Sequence, residues 1–185
     1  AADRDYTATT SLGLNSGTLA DPAGNNAIRT LAAPGTAGSL GNAKNIEIDT
    51  TAPTVSSVNS STANGAYKAG QTIAIQVNFS ENVTATGTPQ LTLNSGGTAN
   101  YSSGSGTSTL TFNYLVGASD TAADRDYTAT TSLGLNSGTL ADPAGNNAIR
   151  TPPPPGTARS LANPHTPQTP TNAPPRTPHN PTAAH

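Results

Sequence analysis

Cysteine is absent from the 185-residue chain, and so are methionine and tryptophan. Without cysteine there is no disulfide framework, no thiol nucleophile and no thiolate metal site. Charge is scarce as well: Lys and Arg total 8, Asp and Glu 10, for a formal charge of −2. So little charge argues against a solvating disordered polyelectrolyte, and so few cations against a nucleic-acid binder. No apolar run approaches the roughly 18 residues of a membrane span. Five Tyr and two Phe are the only aromatics, which leaves little for a sugar-stacking platform. What fills the chain instead is Thr, Asn and Ser, at 31, 18 and 17 residues. A Thr-rich, Gly-punctuated, Leu-poor composition favours β-structure with many turns.

One duplication organises the chain. Residues 1–30, AADRDYTATTSLGLNSGTLADPAGNNAIRT, recur without a change at 122–151, an offset of 121. A repeat ending present twice divides the chain into 1–48, the C-terminal part of a preceding repeat, and 49–151, a near-complete repeat. The remainder, 152–185, is a Pro-rich tail. At the same offset it still agrees with residues 31–64 at 12 of 34 positions, including PGTA and Ser160–Leu161. It is therefore expected to be a corrupted next repeat rather than an independent linker.

Strand patterns crowd the segment between the copies. Ile73, Ile75, Val77 and Phe79 alternate with polar or small residues, and Leu110, Phe112, Tyr114 and Val116 do the same. The first seven of these, Ile73 to Tyr114, are the expected core. Shorter strands are predicted at Thr54–Val58, Val83–Thr86, Gln90–Leu93, Asn100–Ser102 and Tyr127–Leu133, with Asn45–Ile48 closing the earlier repeat. Clusters such as NSGG and SSGSG separate them, and no segment carries a helical apolar stripe. Short strands at 8–12-residue spacing predict an all-β antiparallel sandwich or barrel.

The junction IEIDTTAPTVSSV at 46–58, followed by YKAGQTIAIQVNFSENV at 67–83, resembles the bacterial immunoglobulin-like repeats of very large surface adhesins and biofilm-associated proteins. Repeats of long cyanobacterial proteins are similar. The endings LADPAGNNAI at 19–28 and 140–149 are similar to the Asp-x-x-Gly-Asn signature before the last strand of such repeats. The resemblance implies an immunoglobulin-like β-sandwich acting as an extracellular, cell-surface spacer. Its partners would be neighbouring repeats of the same chain and a host or matrix surface, with no nucleic acid and no membrane span. A glycan- or protein-binding β-sandwich module is the alternative.

Hard cations need several oxygen ligands gathered from loops. The resemblance implies calcium at repeat junctions, with Asp49 and Asp142 as candidates, and Asp120, Asp124 and Asp126 in GASDTAADRDY join them. The plain reading of all five is turn residues and solvated charges, with Arg125 balancing its neighbours. Catalysis has less to work with. His165, His179 and His185 all fall in the tail, and Asp124 with Asp126 is a pattern that any Asp-x-Asp provides. The chain is expected not to be an enzyme. Four sequons, at Asn59, Asn78, Asn82 and Asn100, are what chance gives in so Asn- and Thr-rich a chain. Tyr127 is expected to anchor a corner by its hydroxyl or simply to pack. Gly145 and Asn146 are expected in a turn that needs positive φ.

Overall fold

The computed structural model describes residues 4–122 and 125–157. Asp124, the three histidines and the tail beyond residue 157 lie outside the described residues. The chain divides into two compact units, Ala1–Thr51 and Ala52–His185.

The second unit holds every strand found among the described residues. These are β1 (Val55–Ser60), β2 (Thr72–Thr86), β3 (Gln90–Thr92), β4 (Thr98–Ser103), β5 (Thr107–Leu115), β6 (Leu133–Gly134) and β7 (Thr139–Ala141). All pair antiparallel, in the order β1-β2-β5-β4-β3-β6, with β7 on β2 off that path. The class is all-β, and the sheet curls into a half-barrel.

Why it curls is legible in β2. Over its first half it pairs β1 and β5, with Ile75 opposite Phe112 and Val77 opposite Leu110. Between Asn78 and Val83 the register with β5 shifts, and a bulge of this kind bends the strand and increases its twist. Past the bulge, Thr84–Thr86 pair β7 instead. One 15-residue strand thus serves two neighbourhoods.

The seven expected core residues are all buried, from Ile75, Val77, Leu110 and Phe112 at 0% exposure to Ile73 at 8%. Tyr101 packs on Phe112 edge-on, with ring centroids 5.9 Å apart. The opposite face is polar and knitted across strands. Asn78 donates to Ser57 at 3.0 Å and accepts from Thr109 at 2.8 Å, while Asn113 donates to Ser102 at 3.1 Å.

Three sequence expectations need correction. Tyr127–Leu133 is not one strand: Tyr127 makes an isolated bridge to Leu93, and a turn precedes β6. The turn forms because the Ser132 hydroxyl accepts from Ala129 N at 2.9 Å, a local bond that competes with a ladder. Asn45–Ile48 is not a strand either. Among the described residues the first unit contains no sheet, and Ile46 and Ile48 are 42% and 55% exposed. Third, a short helix, α1 (Leu40–Ala43), stands there unforeseen, capped by Ser39 through a bond from Asn42 N at 3.3 Å. No helix among the described residues is long and apolar enough to cross a membrane.

The entering and leaving segments of the second unit are both fastened by hydrogen bonds. The chain comes in at Thr54, beside Ser80, whose N–H donates to the Thr54 carbonyl at 2.9 Å. It returns at Ile149, which bridges Thr54 in parallel and donates to the Pro53 carbonyl at 2.7 Å. Further on, the Gly156 N–H donates to the Asp126 carboxylate at 2.8 Å.

Phe112→Ala is expected to destabilise the second unit by about 3–5 kcal/mol. Urea melts of the two chains measure it. A loss under about 1 kcal/mol would contradict the placement of Phe112 at the centre of the core.

Candidate functional site

Three of the candidate aspartates, Asp120, Asp126 and Asp142, are described in the second unit. Asp120, Arg125 and Asp126 stand near the start of β2, and Asp142 stands beyond its bulge.

Tyr114 donates its hydroxyl to Asp120, and Gly117 N donates to the same carboxylate at 2.7 Å. Arg125 donates to the Tyr114 hydroxyl at 3.0 Å and stacks over its ring, 4.5 Å from the centroid. The bond from Tyr114, then that from Gly117, holds the Asp120 carboxyl below the ordinary 3.8. Arg125 therefore does more than offset charge: it is laid on the core tyrosine.

Asp126 is buried and works as a clamp. Its carboxylate accepts from Tyr127 N at 2.9 Å and from Gly156 N at 2.8 Å, tying the outgoing segment to the sheet. Asn94 accepts from Asp126 N at 3.1 Å. Tyr127 adds the second tie by donating its hydroxyl to the Pro153 carbonyl. The tyrosine does anchor a corner, on a residue 26 positions downstream. Burial first, and the Asp126 charge second, push the Tyr127 phenol up to about 12.

The DPAGN segment folds on itself. Asp142 accepts from Asn146 N at 2.8 Å and from Asn146 Nδ2 at 2.7 Å, and Gly145 takes φ +94°. That positive φ belongs to Gly145 and not to Asn146. Burial opposes ionisation of Asp142, but the side-chain and backbone bonds from Asn146, with those from Gly145 and Ala144, outweigh it and lower its pKa. A carboxylate oxygen of Glu81 lies within 4.8 Å of one from Asp142. Glu81 was not singled out by sequence, because a lone acid in FSENV carries no motif. Calcium takes six to eight oxygens and a carboxylate gives one or two, so this pair offers two to four of them. Asp49 belongs to the first unit, where it accepts from Thr51 N at 2.9 Å.

The duplicate shows what is intrinsic to this chemistry. In the first unit, Asp5 accepts from Gly35 N at 2.9 Å and Tyr6 donates to the Ala32 carbonyl at 2.7 Å. Asp21 accepts from Asn25 N and Nδ2, both at 2.8 Å, and Arg29 donates to the Leu12 carbonyl at 2.9 Å. Each bond is the counterpart, 121 residues earlier, of one in the second unit. These carboxylates serve the local fold of the ending. Comparison with family models, curated proteins and solved structures gives no match.

The ionisation shifts set two pH limits. The lowered carboxylates contribute stability that is full above 3.8 and is lost as pH falls through their folded values. Melting temperature should therefore hold from pH 7 to about 5 and fall below about 4, less steeply in Asp120→Asn. The raised phenol contributes stability that is full below 10.0 and is lost as pH rises through about 12. Tyr127→Phe should flatten that alkaline fall. An alkaline limb unchanged in Tyr127→Phe would contradict the buried-phenol account.

Proposed function

We propose that this chain is a piece of a tandem array of immunoglobulin-like β-sandwich repeats, acting as a structural spacer of a secreted or cell-surface adhesin. On this reading 49–151 is a near-complete repeat, 1–48 the end of the one before, and the array extends an adhesive tip from the cell.

The observation that carries the proposal is the 30-residue ending present twice, at 1–30 and again at 122–151. In the second unit the incoming chain at Thr54 is bridged by Ile149, and the outgoing chain is held at Pro153 by Tyr127 and at Gly156 by Asp126. The duplicated hydrogen bonds of the ending support the same reading. Successive units would be fastened by the same residues, and Pro53 stiffens the approach to β1.

A binding role has one feature in its favour, the uncharged amide and hydroxyl face of β1, β2, β5 and β4. Its side chains bond to each other, as in Asn78 with Ser57 and Thr109, and so are already committed. The spacer reading is therefore preferred over a glycan- or protein-binding module.

Chains carrying two, four and eight successive copies of residues 49–157 test the proposal by small-angle X-ray scattering. The maximum dimension is expected to rise by the same increment with each copy. Growth that flattens into compact clusters, or micromolar binding of the two-copy chain on a glycan array, would contradict it.

A further inference from the structure

Identical residues of the two copies differ sharply in exposure. Leu12 is 41% exposed and Leu19 47%, whereas their counterparts Leu133 and Leu140 are at 1% and 2%. Ile28 is 92% exposed against 52% for Ile149, and Asp21 is exposed where Asp142 is at 4%. Yet the local conformation is the same. Asn15 and Ser16 take φ of 46° and 68°, and Asn136 and Ser137 take 44° and 63°. Ala27 N donates to the Leu19 carbonyl at 2.8 Å, and Ala148 N to that of Leu140 at 2.9 Å. Residues 4–30 are thus already shaped like the segment that closes the second unit's sheet, with the contact face uncovered.

We infer that residues 4–30 are a second occupant of the closing slot on β2 and β3, able to replace residues 125–151 within the same chain. The slot recognises backbone at Thr84–Thr86, which pair Thr139–Ala141, and at Gln90–Leu91, which pair Leu133 and Gly134. Every residue it reads is present in both copies. Gly138 fits it because a Cβ there would stand 2.1 Å from the Thr86 carbonyl oxygen, and Gly17 brings the same freedom.

Connectivity allows the exchange. Ile149 bridges Thr54, so the end of a docked closing segment lies beside the start of β1. Residues 31–52 join the first copy to that point, and 22 residues need span only a short gap. The resulting arrangement is a circular permutation of the observed one. Loop closure favours the observed form, since residues 117–124 make a shorter tether, and the permuted form is the minor state.

The cysteine-free chain makes the test direct. Ala85 lies opposite Leu140 in the observed register, so Ala85→Cys with Leu140→Cys reports the resident closure. Ala85→Cys with Leu19→Cys closes only when residues 4–30 occupy the slot, and Leu19→Cys with Asn59→Cys controls for random collision. After mild oxidation of the full chain, the Leu19 pair is expected to accumulate an intramolecular disulfide well above the collision control. Adding Leu133→Ala, which weakens the resident segment, should raise the rate of its formation by about thirtyfold or more. The first comparison needs no destabilised variant, so it stands even if Leu133→Ala impairs folding. A Leu19 pair no faster than the control, while the Leu140 pair closes, overturns the inference. Disulfide-linked dimers without intramolecular product would place the segment on a second copy and overturn it too.

Discussion

The inward face of β2 and β5 has to be covered, and the rest of the second unit is arranged by that need. Ile75, Val77, Leu110 and Phe112 present a continuous apolar face that a two-strand ribbon leaves in water. Burying a side chain of this size is favourable by about 1.5–3 kcal/mol, so the sheet gains by curling over itself. The bulge in β2 permits the curl, β3 and β4 form its far wall, and Tyr127, Leu133 and Leu140 supply the last apolar cover.

The two copies of the ending act as an internal control on what holds it together. Both keep the aspartate–asparagine turn, the arginine-to-carbonyl bond and the tyrosine anchor, although one copy is exposed and the other covered. Those bonds therefore need no sheet. What the sheet adds is burial of Leu133 and Leu140 and removal of Asp126 and Asp142 from water with their bonds intact. Local polar chemistry prescribes the shape of the ending, and apolar cover decides where it sits. Such a division suits the proposed spacer, whose repeats would each close in the same way.

How far the sequence alone reaches follows the same division. Period-two alternation placed β2 and β5 and named their buried residues, because a half-buried strand has no other way to alternate. The DPAGN turn was legible from Gly145 and the short polar residues around it. Tyr127–Leu133 misled because its apolar ends suggest a strand, while Thr128 and Ser132 bond to each other and to the backbone between them. The helix at Leu40–Ala43 is four residues long, too short for an apolar stripe, and only Ser39 announces it. Glu81 joins Asp142 through the fold of β2 around its bulge, a proximity across 61 positions that no local pattern encodes.

Hydrogen exchange at two amides tests the central claim, that burial on the sheet and not the local hydrogen bonds secures the ending. Ala27 and Ala148 have the same neighbours in sequence and make the same bond, at 2.8 and 2.9 Å, to Leu19 and Leu140. They differ in cover. The account predicts that Ala148 exchanges more than tenfold more slowly than Ala27 by NMR, as an amide tied to the core should. Equal exchange rates at the two positions would contradict it.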